Sequence, residues 1–243
     1  MRILVVVPAY NESDSIGRVI GRLTDWAKGS DLSLDYVIVN DGSSDNTREI
    51  IEKLGLSAIH LPVNLGIGGA VQTGYLYAEQ EGYDIAIQMD GDGQHPPEYI
   101  GDLVDPILQG KADMVIGSRF LTGEGFQTSS MRRFGIRWLC LAIRMAAGKT
   151  VTDATSGFRA VNQRGICLFS KQYAKDYPEP EGIVQAVKNG LRVMEVPVKM
   201  EAREAGKSSI KTFSSIYYMI KVTLAILIRG MEKAIDPVKE DRA

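Results

Sequence analysis

Cysteine and histidine are scarce in this chain of 243 residues, and a long apolar run is missing. The two cysteines, Cys140 and Cys167, are too few for a disulfide scaffold and lack metal-ligand spacing, which fits a reducing compartment. The two histidines, His60 and His95, exclude a His-rich zinc site. The main membrane candidate, 216–228, is shorter than the ~20 apolar residues that span a bilayer. We therefore expect no disulfide-stapled domain and no transmembrane helix.

An excess of charge of one sign is missing too. The chain has 28 Lys and Arg against 30 Asp and Glu, with 44% hydrophobic residues. This balance excludes a disordered acidic chain and a basic nucleic-acid binder. The apolar run at 3–7 is too short for a secretory signal and meets Pro8 at once, which favours a cytoplasmic chain. The length fits one folded domain, or one domain with an appendage.

Short β-rich runs alternate with helix-length segments as far as Gly117. The runs are 3–7, 36–39, 58–61, 85–89 and 114–116. Because consecutive apolar residues suit strands covered on both faces, the pattern predicts an α/β fold with a mostly parallel sheet and helices on both faces. Ser13 and the Ser44-Asp45 pair mark predicted helix starts. Beyond Gly117 the pattern predicts a helix over 132–147, a polar loop over 153–157 and a strand over 193–198.

Polar residues follow three of the predicted strands directly. They are 8–12 after the first strand, 40–45 after the second and 90–95 after the fourth. In doubly wound sheets, ligands bind beyond the carboxyl ends of the strands, so these segments are candidate site loops. Each also has a plain interpretation as turn and helix-cap chemistry.

Asp90 and Asp92 are the strongest single indication of a ligand. Residues two apart in an extended chain point the same way and lie ~6.6 Å apart along it, so both carboxylates can approach one small cation. Gln94 adds a neutral oxygen, and Mg²⁺ or Mn²⁺ would keep positions open for a diphosphate. The alternative is a simple acidic turn.

The same loops carry a family resemblance. Seven stretches follow one another in family order: 8–12, 41–47, 64–74, 89–98, 117–120, 153–159 and 203–209. On these residues the chain resembles the family 2 glycosyltransferases, which are inverting enzymes of GT-A fold. The stretches beginning at Asp90 and Asp153 most resemble the polyprenyl-phosphate sugar transferases, the group that includes dolichyl-phosphate mannose synthase.

The resemblance implies a nucleotide-sugar donor, UDP-linked in our reading, and a divalent metal, Mg²⁺ or Mn²⁺. The implied nucleotide-binding residues are Pro8, Tyr10, Glu12, Asp41, Asn64, Gly66 and Asp90. The implied metal ligands are Asp90, Asp92 and Gln94. The family often has Asp where this chain has Asn40. The glycines 68, 69 and 74 have a second interpretation, as sites of close helix packing.

The resemblance also assigns catalytic and acceptor residues. Asp92, Arg203, Lys207 and Arg119 would act on the leaving diphosphate and the acceptor. The acceptor side would comprise Arg119, Arg132, Arg133, Asp153, Ser156 and Arg159. A polyprenyl phosphate is already ionised and needs no general base, whereas a glycan hydroxyl would need one, with Asp153 as the candidate. The alternative for Asp153 is an Asx turn.

The carboxyl-terminal part is predicted to be an amphipathic helix. We divide the chain into a GT-A domain at 1–211, this helix at 212–232 and a charged tail at 233–243. Aromatic and basic residues on the helix favour the membrane surface, so we expect a peripheral enzyme at the inner face of the membrane. A small membrane-protein partner or a homo-oligomer is the alternative use of the helix. A non-catalytic nucleotide-sugar module and a nucleotidyltransferase are the alternative functions; nucleic acid is not an expected partner.

Overall fold

The computed structural model describes residues 1–121, 130–201 and 214–232, and in these segments the side chains of 130–132 and 214–218 are not described. The strands are β1 (Ile3–Ala9), β2 (Leu34–Asn40), β3 (Ala58–His60), β4 (Ile85–Gln88), β5 (Met114–Ser118), β6 (Arg159–Asn162) and β7 (Val193–Pro197). The helices are α1 (Ile16–Lys28), α2 (Thr47–Lys53), α3 (Gly66–Gln80), α4 (Ile100–Leu108), α5 (Ser130–Ala147), α6 (Gln163–Lys171), α7 (Pro178–Lys188) and α8 (Ser214–Met231).

One sheet organises these elements. Its seven strands lie in the order β3-β2-β1-β4-β6-β5-β7. β6 runs antiparallel to both of its neighbours, and the other pairings are parallel. The carboxyl ends of six strands and the amino end of β6 therefore lie along one edge, which we call the site edge. The predicted mostly parallel sheet with helices on both faces is confirmed.

Alternate residues of each central strand serve two separate cores. Leu4 and Val6 of β1 pack with buried residues of α3, α5, α6, α7 and α8. Ile3, Val5 and Val7 pack with buried residues of α1, α2 and α4 on the other face. Side chains of a strand alternate between faces, so a run that is apolar at every position is what a doubly covered strand requires.

Three elements were missed by the sequence patterns: β6, α6 and α7. β6 is a four-residue strand, and its first residue, Arg159, is completely buried, which an apolar pattern does not anticipate. α7 begins with Pro178, and a second proline, Pro180, lies within its first turn. Prolines are tolerated there because the first helical N–H groups have no partner inside the helix.

The first helix also begins later than predicted. α1 starts at Ile16 with Ser15, not Ser13, as its N-cap, and the Ser13 N–H donates to Asp45 Oδ2 at 3.2 Å. Asp45 also accepts the N–H of Thr47 at 2.9 Å and so supports the start of α2. Burial opposes ionisation of Asp45, but the hydrogen bonds from Thr47 and Ser13 outweigh it and lower the pKa of its carboxyl.

Candidate active site

The loops after β1, β2 and β4 are joined at the site edge by backbone hydrogen bonds. The N–H of Asp41 donates to the carbonyl of Ala9 at 2.9 Å, and the N–H of Gly91 donates to the carbonyl of Pro8 at 3.3 Å. These bonds continue the parallel pairing of β1 with β2 and with β4 beyond the ends of the strands. The predicted nucleotide residues after β1 and β2 and the acidic residues after β4 therefore form one site.

The loop after β1 presents an aromatic ring beside a fixed carboxylate. Tyr10 is 48% exposed, which leaves its ring accessible for stacking on a base. Glu12 Oε2 accepts a hydrogen bond from Ser15 Oγ at 2.7 Å, and the Glu12 N–H donates to Thr47 Oγ1 at 2.8 Å. Between them, Asn11 has a positive φ of 56° and accepts the N–H of Ser44 at 2.8 Å. This turn holds the first two loops together.

Asp41 organises the amino-terminal end of α3. Its Oδ1 accepts the N–H of Leu65 at 2.7 Å, and its backbone carbonyl accepts from Asn64 Nδ2 at 3.1 Å. Asn64 Oδ1 in turn accepts the N–H of Gly66, whose φ is 80°. The buried Asp41 therefore fixes the position of a helix amino terminus, where backbone N–H groups suit phosphate.

The glycines of α3 allow close packing. A Cβ on Gly68 would collide with the carbonyl of Ala174, and a Cβ on Gly74 would collide with the side chain of Val6. The packing interpretation is thus confirmed for these two positions. It also explains how α3 lies close enough to β1 to bring its first turn to the site edge.

Both polar atoms of the Asn40 amide contact other side chains. Its Oδ1 accepts from the N–H of Ser43 at 3.2 Å and from Ser43 Oγ at 2.6 Å. Its Nδ2 lies 3.0 Å from Nδ1 of His60, to which an amide nitrogen can only donate. The Asn40 side chain therefore connects Ser43 of the loop after β2 with His60 at the end of β3.

The tip after β4 holds two carboxylates in different settings. Asp90 is partly exposed, accepts from Gln88 Nε2 at 3.3 Å and has His95 Nε2 at 3.8 Å. Asp92 is nearly buried, and its Oδ1 accepts the N–H of Gln94 at 3.0 Å across Gly93, which has a φ of 82°. The loop therefore presents a pre-shaped acidic turn.

The ring of His95 supports this acidic turn. Its Nδ1 accepts the N–H of Asp90 at 3.0 Å, and its ring stacks on Phe158 with 4.8 Å between the centroids. Because Nδ1 accepts, the proton of the neutral ring is on Nε2, which faces Asp90. His95 is a positioning residue for the acidic tip.

The acidic tip fits a divalent cation by its donor set. Among the ion pairs of the described residues, Asp90 has only the long contact with His95 and no Lys or Arg partner. Two carboxylates and the Gln94 amide would supply part of an oxygen coordination shell, and Mg²⁺ and Mn²⁺ accept water or phosphate oxygens for the rest. Within the described segments no group of three or more His, Cys, Asp or Glu side chains is arranged so that it could hold a metal ion.

Glu201 lies four residues after the end of β7 and binds the acidic tip. It was not among the residues predicted from the sequence. Its N–H donates to the carbonyl of Gln94 at 3.0 Å, and its carbonyl receives Gln94 Nε2 at 3.4 Å. Its carboxylate binds Arg22 through two bonds of 2.7 and 3.0 Å, and the hydrogen bond from Arg22 lowers the pKa of the Glu201 carboxyl. The only sequence signal was its place two residues before Arg203.

Among the predicted acceptor residues, Arg119 and Asp153 bind each other. Arg119 Nε and Nη2 donate to the two oxygens of Asp153 at 2.7 and 2.8 Å, and Nη2 also reaches Thr155 Oγ1 at 2.8 Å. Asp153 is fully buried, and its Oδ1 accepts the N–H of Thr155 at 3.2 Å, which is an Asx turn. An occupied, buried carboxylate is poorly placed to receive a proton from a hydroxyl.

Ser156, Gly157 and Arg159 continue this loop toward the acidic tip. Arg159 is fully buried and donates to the backbone carbonyls of Ser156 and Glu179. A Cβ on Gly157 would lie 2.9 Å from Gln88 Nε2 and 3.0 Å from Asp90 Oδ2. The glycine is therefore needed for the loop to pass directly over the Asp90 carboxylate, and sequence reasoning did not single it out.

Of the remaining predicted site residues, the structure describes the side chain of Arg133. Arg133 lies exposed on α5, while the side chain of Arg132 and both Arg203 and Lys207 lie outside the described residues. The tail at 233–243 also lies outside them. No helix of the described segments is both long and apolar enough to cross a membrane.

Fold and site together define a class. Residues 4–169 match the family model "Glycosyl transferase family 2", and the chain belongs to this family and is a glycosyltransferase. The sheet, its single reversed strand and the acidic tip are those of the GT-A fold. A solved structure of glucosyl-3-phosphoglycerate synthase from Mycobacterium tuberculosis, in complex with Mn²⁺, uridine diphosphate and phosphoglyceric acid, has the same fold, with a TM-score of 0.71, 22% identity and coverage of 95% of this chain and 78% of that one.

Two curated relatives match over most of their length. The chain is 31% identical to the UDP-N-acetylglucosamine–dolichyl-phosphate N-acetylglucosaminyltransferase of Methanococcus voltae, with 96% of this chain and 98% of the relative covered. It is 32% identical to the undecaprenyl-phosphate mannosyltransferase of Micrococcus luteus, with 86% and 88% covered. The expected resemblance to the polyprenyl-phosphate sugar transferases is confirmed.

Proposed function

We propose that this chain transfers a hexosyl group, with inversion and with the help of Mg²⁺ or Mn²⁺, from a UDP-linked sugar to a polyprenyl phosphate. The observation that carries the proposal is the Asp90 carboxylate, which lies at the site edge without a Lys or Arg partner among the described ion pairs. The printed names of the two relatives, one a dolichyl-phosphate and one an undecaprenyl-phosphate transferase, support the acceptor class. The bound Mn²⁺ and uridine diphosphate of the structural neighbour support the donor and the metal.

The donor would lie across the loops of β1, β2 and β4. Tyr10 would stack on the base, and Asp41, Asn64 and Gly66 would hold the nucleotide at the start of α3. Pro8 and Glu12 would shape the same pocket. A cation bound by Asp90, Asp92 and Gln94 would supply positive charge to the diphosphate as it leaves.

Two basic residues would complete the leaving-group site. Arg203 and Lys207 follow Glu201, and Glu201 is bonded through its backbone to Gln94 of the acidic tip. Charge that develops on a departing diphosphate is stabilised most by groups that are already oriented. The bonds of Glu201 to Arg22 and Gln94 would provide that orientation at the base of the segment.

The geometry around Asp153 favours a phosphate acceptor over a hydroxyl. Both Asp153 oxygens accept from Arg119, and the side chain is fully buried. A phosphate monoester is already ionised near neutral pH and attacks without a general base. The proposed acceptor residues remain Arg119, Arg132, Arg133, Ser156 and Arg159.

We also propose that the chain divides into a GT-A domain at 1–211, an amphipathic helix at 212–232 and a charged tail at 233–243. We propose in addition that the enzyme acts at the inner face of the membrane.

A donor and acceptor panel tests the proposal. The full chain is incubated with Mn²⁺, with UDP-glucose, UDP-N-acetylglucosamine or GDP-mannose, and with polyprenyl phosphate in detergent. We expect one UDP-sugar to give a lipid-soluble glycosyl phosphate together with free UDP, and a chelator to abolish the reaction. An Asp92→Asn variant should bind Mn²⁺ more weakly by calorimetry while its thermal unfolding stays the same.

Other outcomes would contradict the proposal. Product formed only on a glycan would replace the phosphate acceptor with a hydroxyl. Pyrophosphate released from a nucleoside triphosphate would indicate a nucleotidyltransferase. Binding of UDP-sugar without turnover on any acceptor would indicate a non-catalytic module.

A further inference from the structure

Glu195 lies in the middle of β7, an outer strand of the sheet, and its side chain is half-buried. Its neighbours Met194 and Val196 pack against the core that contains α1, α2 and α4. Because side chains of a strand alternate between faces, Glu195 lies on the opposite face with Val193, which is buried in the core of α5 and α7. A carboxylate in such a place requires polar partners.

Both oxygens of Glu195 accept hydrogen bonds from one short loop. Oε1 accepts the N–H of Thr152 at 2.9 Å, the N–H of Asp153 at 2.9 Å and the hydroxyl of Thr152 at 3.0 Å. Oε2 accepts the N–H of Thr152 at 2.8 Å. Hydrogen bonds to an ionised carboxylate are stronger than those between neutral groups. Glu195 therefore fixes the backbone at Thr152 and Asp153.

The same loop is bonded to the end of β5. The Thr152 hydroxyl has one proton, which it donates to Glu195, so its oxygen accepts the Ser118 hydroxyl at 2.6 Å. Ser118 Oγ in turn accepts the N–H of Phe120 at 3.2 Å. Arg119 lies between these two residues, so the backbone on both sides of it is connected to Glu195.

Asp153 extends this connection to the guanidinium of Arg119. The N–H of Asp153 is held by Glu195, and its carboxylate receives Arg119 Nε at 2.7 Å and Nη2 at 2.8 Å. These two nitrogens form one edge of the guanidinium. The third nitrogen, Nη1, has no hydrogen bond within the part of the chain that the structure describes. The side chain of Arg119 is 14% exposed, so it is not sealed in the core.

Charge neutralisation does not account for Glu195. Among the ion pairs of the described residues, Asp113 and Asp153 each have an arginine, whereas Glu195 has no Lys or Arg partner. Its described hydrogen bonds come from two backbone N–H groups and one hydroxyl. A carboxylate with these partners fixes the position of a chain segment, as a capping carboxylate does at the start of a helix.

Cys140 of α5 lies close to both carboxylates. Burial is the largest cause that raises the pKa of its thiol to about 11, and the charges of Asp153 and Glu195 raise it further. Helix α5 thus partly screens this group of side chains from water. Hydrogen bonds are stronger in such surroundings than at an open surface.

We propose that Glu195 is a positioning residue for Arg119. By holding the N–H groups of Thr152 and Asp153, it sets the place of the carboxylate that orients the guanidinium, so that Nη1 is directed toward the anionic group of the acceptor. The proposal rests on the proposed function, which assigns Arg119 to the acceptor. Among the described residues Glu195 has no hydrogen bond with the loops after β1, β2 and β4, so its effect should be on acceptor binding and not on donor binding.

Kinetics with each substrate varied in turn test the proposal on the full chain. Glu195→Ala removes both carboxylate oxygens, so KM for polyprenyl phosphate should rise by about tenfold or more, while KM for the UDP-sugar should change by less than about twofold. Glu195→Gln keeps one oxygen that can accept from the loop and should restore KM for polyprenyl phosphate to within about threefold of the parent. A loss of stability alone would lower the amount of active enzyme and leave both KM values unaltered.

Three further variants separate this role from a general one. Asp35→Ala removes a carboxylate of β2 that accepts the Tyr83 hydroxyl at 2.9 Å, at the edge away from the site, and should leave both KM values unaltered. Arg119→Ala combined with Glu195→Ala should have the KM for polyprenyl phosphate of Arg119→Ala alone, because a residue that acts through Arg119 has no effect in its absence. Glu195→Asp withdraws the carboxylate by one methylene and replaces Glu195→Ala if the alanine variant does not fold.

The orientation of Arg119 can also be observed by nuclear magnetic resonance without any substrate. The Arg119 Nε–H, which is bonded to Asp153, should give a sharp signal in the parent and in Glu195→Gln and a broadened signal in Glu195→Ala. The Arg192 Nε–H, which is bonded to Asp113, is the internal control and should be the same in each chain.

Three results would overturn the proposal. They are an unchanged Arg119 signal in Glu195→Ala, an unchanged KM for the acceptor in that variant, and additive effects of Glu195→Ala and Arg119→Ala. Failure of the donor and acceptor panel is a separate result. It would remove polyprenyl phosphate as the acceptor, while the Arg119 signal would still decide whether Glu195 orients that guanidinium.

Discussion

Two carboxylates at opposite edges of the same sheet, Asp113 and Asp90, differ in their ion-pair partners. Asp113, directly before β5 at the edge away from the site, is buried and receives Arg192 Nε at 2.9 Å and Arg192 Nη2 at 3.0 Å. Asn162 Nδ2 donates to it at 2.8 Å. Asp90, at the site edge, has only the 3.8 Å contact with His95 among the described ion pairs. The charge of Asp113 is compensated by arginine, whereas Asp90 has no Lys or Arg partner among the described ion pairs and would receive a cation.

Substitution of Asp90 should have the largest effect on activity. In Asp90→Asn the side chain keeps its shape and can still accept from Gln88, but it loses the charge that a cation requires. We expect transferase activity to fall by about a thousandfold or more, which corresponds to ~4 kcal/mol of transition-state stabilisation. The midpoint of thermal unfolding should stay within a degree or two of the parent. A large drop in that midpoint would show that Asp90 is structural, like Asp113.

Asp113→Ala should show the reverse pattern. The change leaves the guanidinium of Arg192, the amide of Asn162 and the N–H of Arg192 without their acceptor. We expect the free energy of unfolding to fall by about 2–4 kcal/mol, measured by urea denaturation. Activity per folded molecule should be unchanged, because the residue is at the far edge of the sheet. A loss of activity without a loss of stability would contradict the comparison.

The same carboxylate should make stability depend on pH. The hydrogen bond from Arg192 lowers the pKa of Asp113 well below its usual range, although burial opposes it. A group with a lowered folded pKa contributes fully above its unfolded pKa of about 3.9 and loses that contribution as pH falls through this value toward the folded pKa. Urea midpoints between pH 7 and pH 3 should therefore decline less steeply for Asp113→Asn than for the parent chain. Parallel curves would argue against the pairing.

Gly157→Ala should give the smallest of these effects. The added Cβ would press on Gln88 Nε2 and on both Asp90 oxygens, so the loop or the carboxylate must shift by a few tenths of an ångström. We expect activity to fall by about ten- to a hundredfold, with a smaller loss of stability. Gly101→Ala in α4 is the control, since a Cβ there meets nothing within 4 Å and alanine favours the helix. Equal activities of the two variants would remove Gly157 from the site.

Much of the fold followed from local pattern. The apolar runs at 3–7 and 85–89 could be assigned because strands covered on both faces are apolar at every position. The polar residues after each run could be assigned to one edge because parallel strands end together. β6 could not, because its four residues begin with Arg159, a buried guanidinium that donates to the carbonyls of Ser156 and of Glu179, which lies 20 residues further along the chain.

The candidate site also contains some features that the sequence predicted and others that it did not. The acidic tip at Asp90 and Asp92 depends on residues that are neighbours in the chain, so the sequence alone could single it out as a candidate site. The bidentate pairing of Arg119 with Asp153 and the bonds from Gln94 to Glu201 join residues far apart in the chain. Their geometry depends on where β6 and β7 lie, which no local pattern specifies.

By itself the sequence determined the class of fold, the family and the acidic tip, because these depend on periodicity and on short runs of neighbouring residues. Only the tertiary structure decided that Asp153 is paired with Arg119, that Gly157 passes over Asp90, and that α5 packs against α8 at Gly135 and Gly230. Those three features arise where segments distant in sequence pack together, and packing selects the partner of each charge and the side of each helix that is buried.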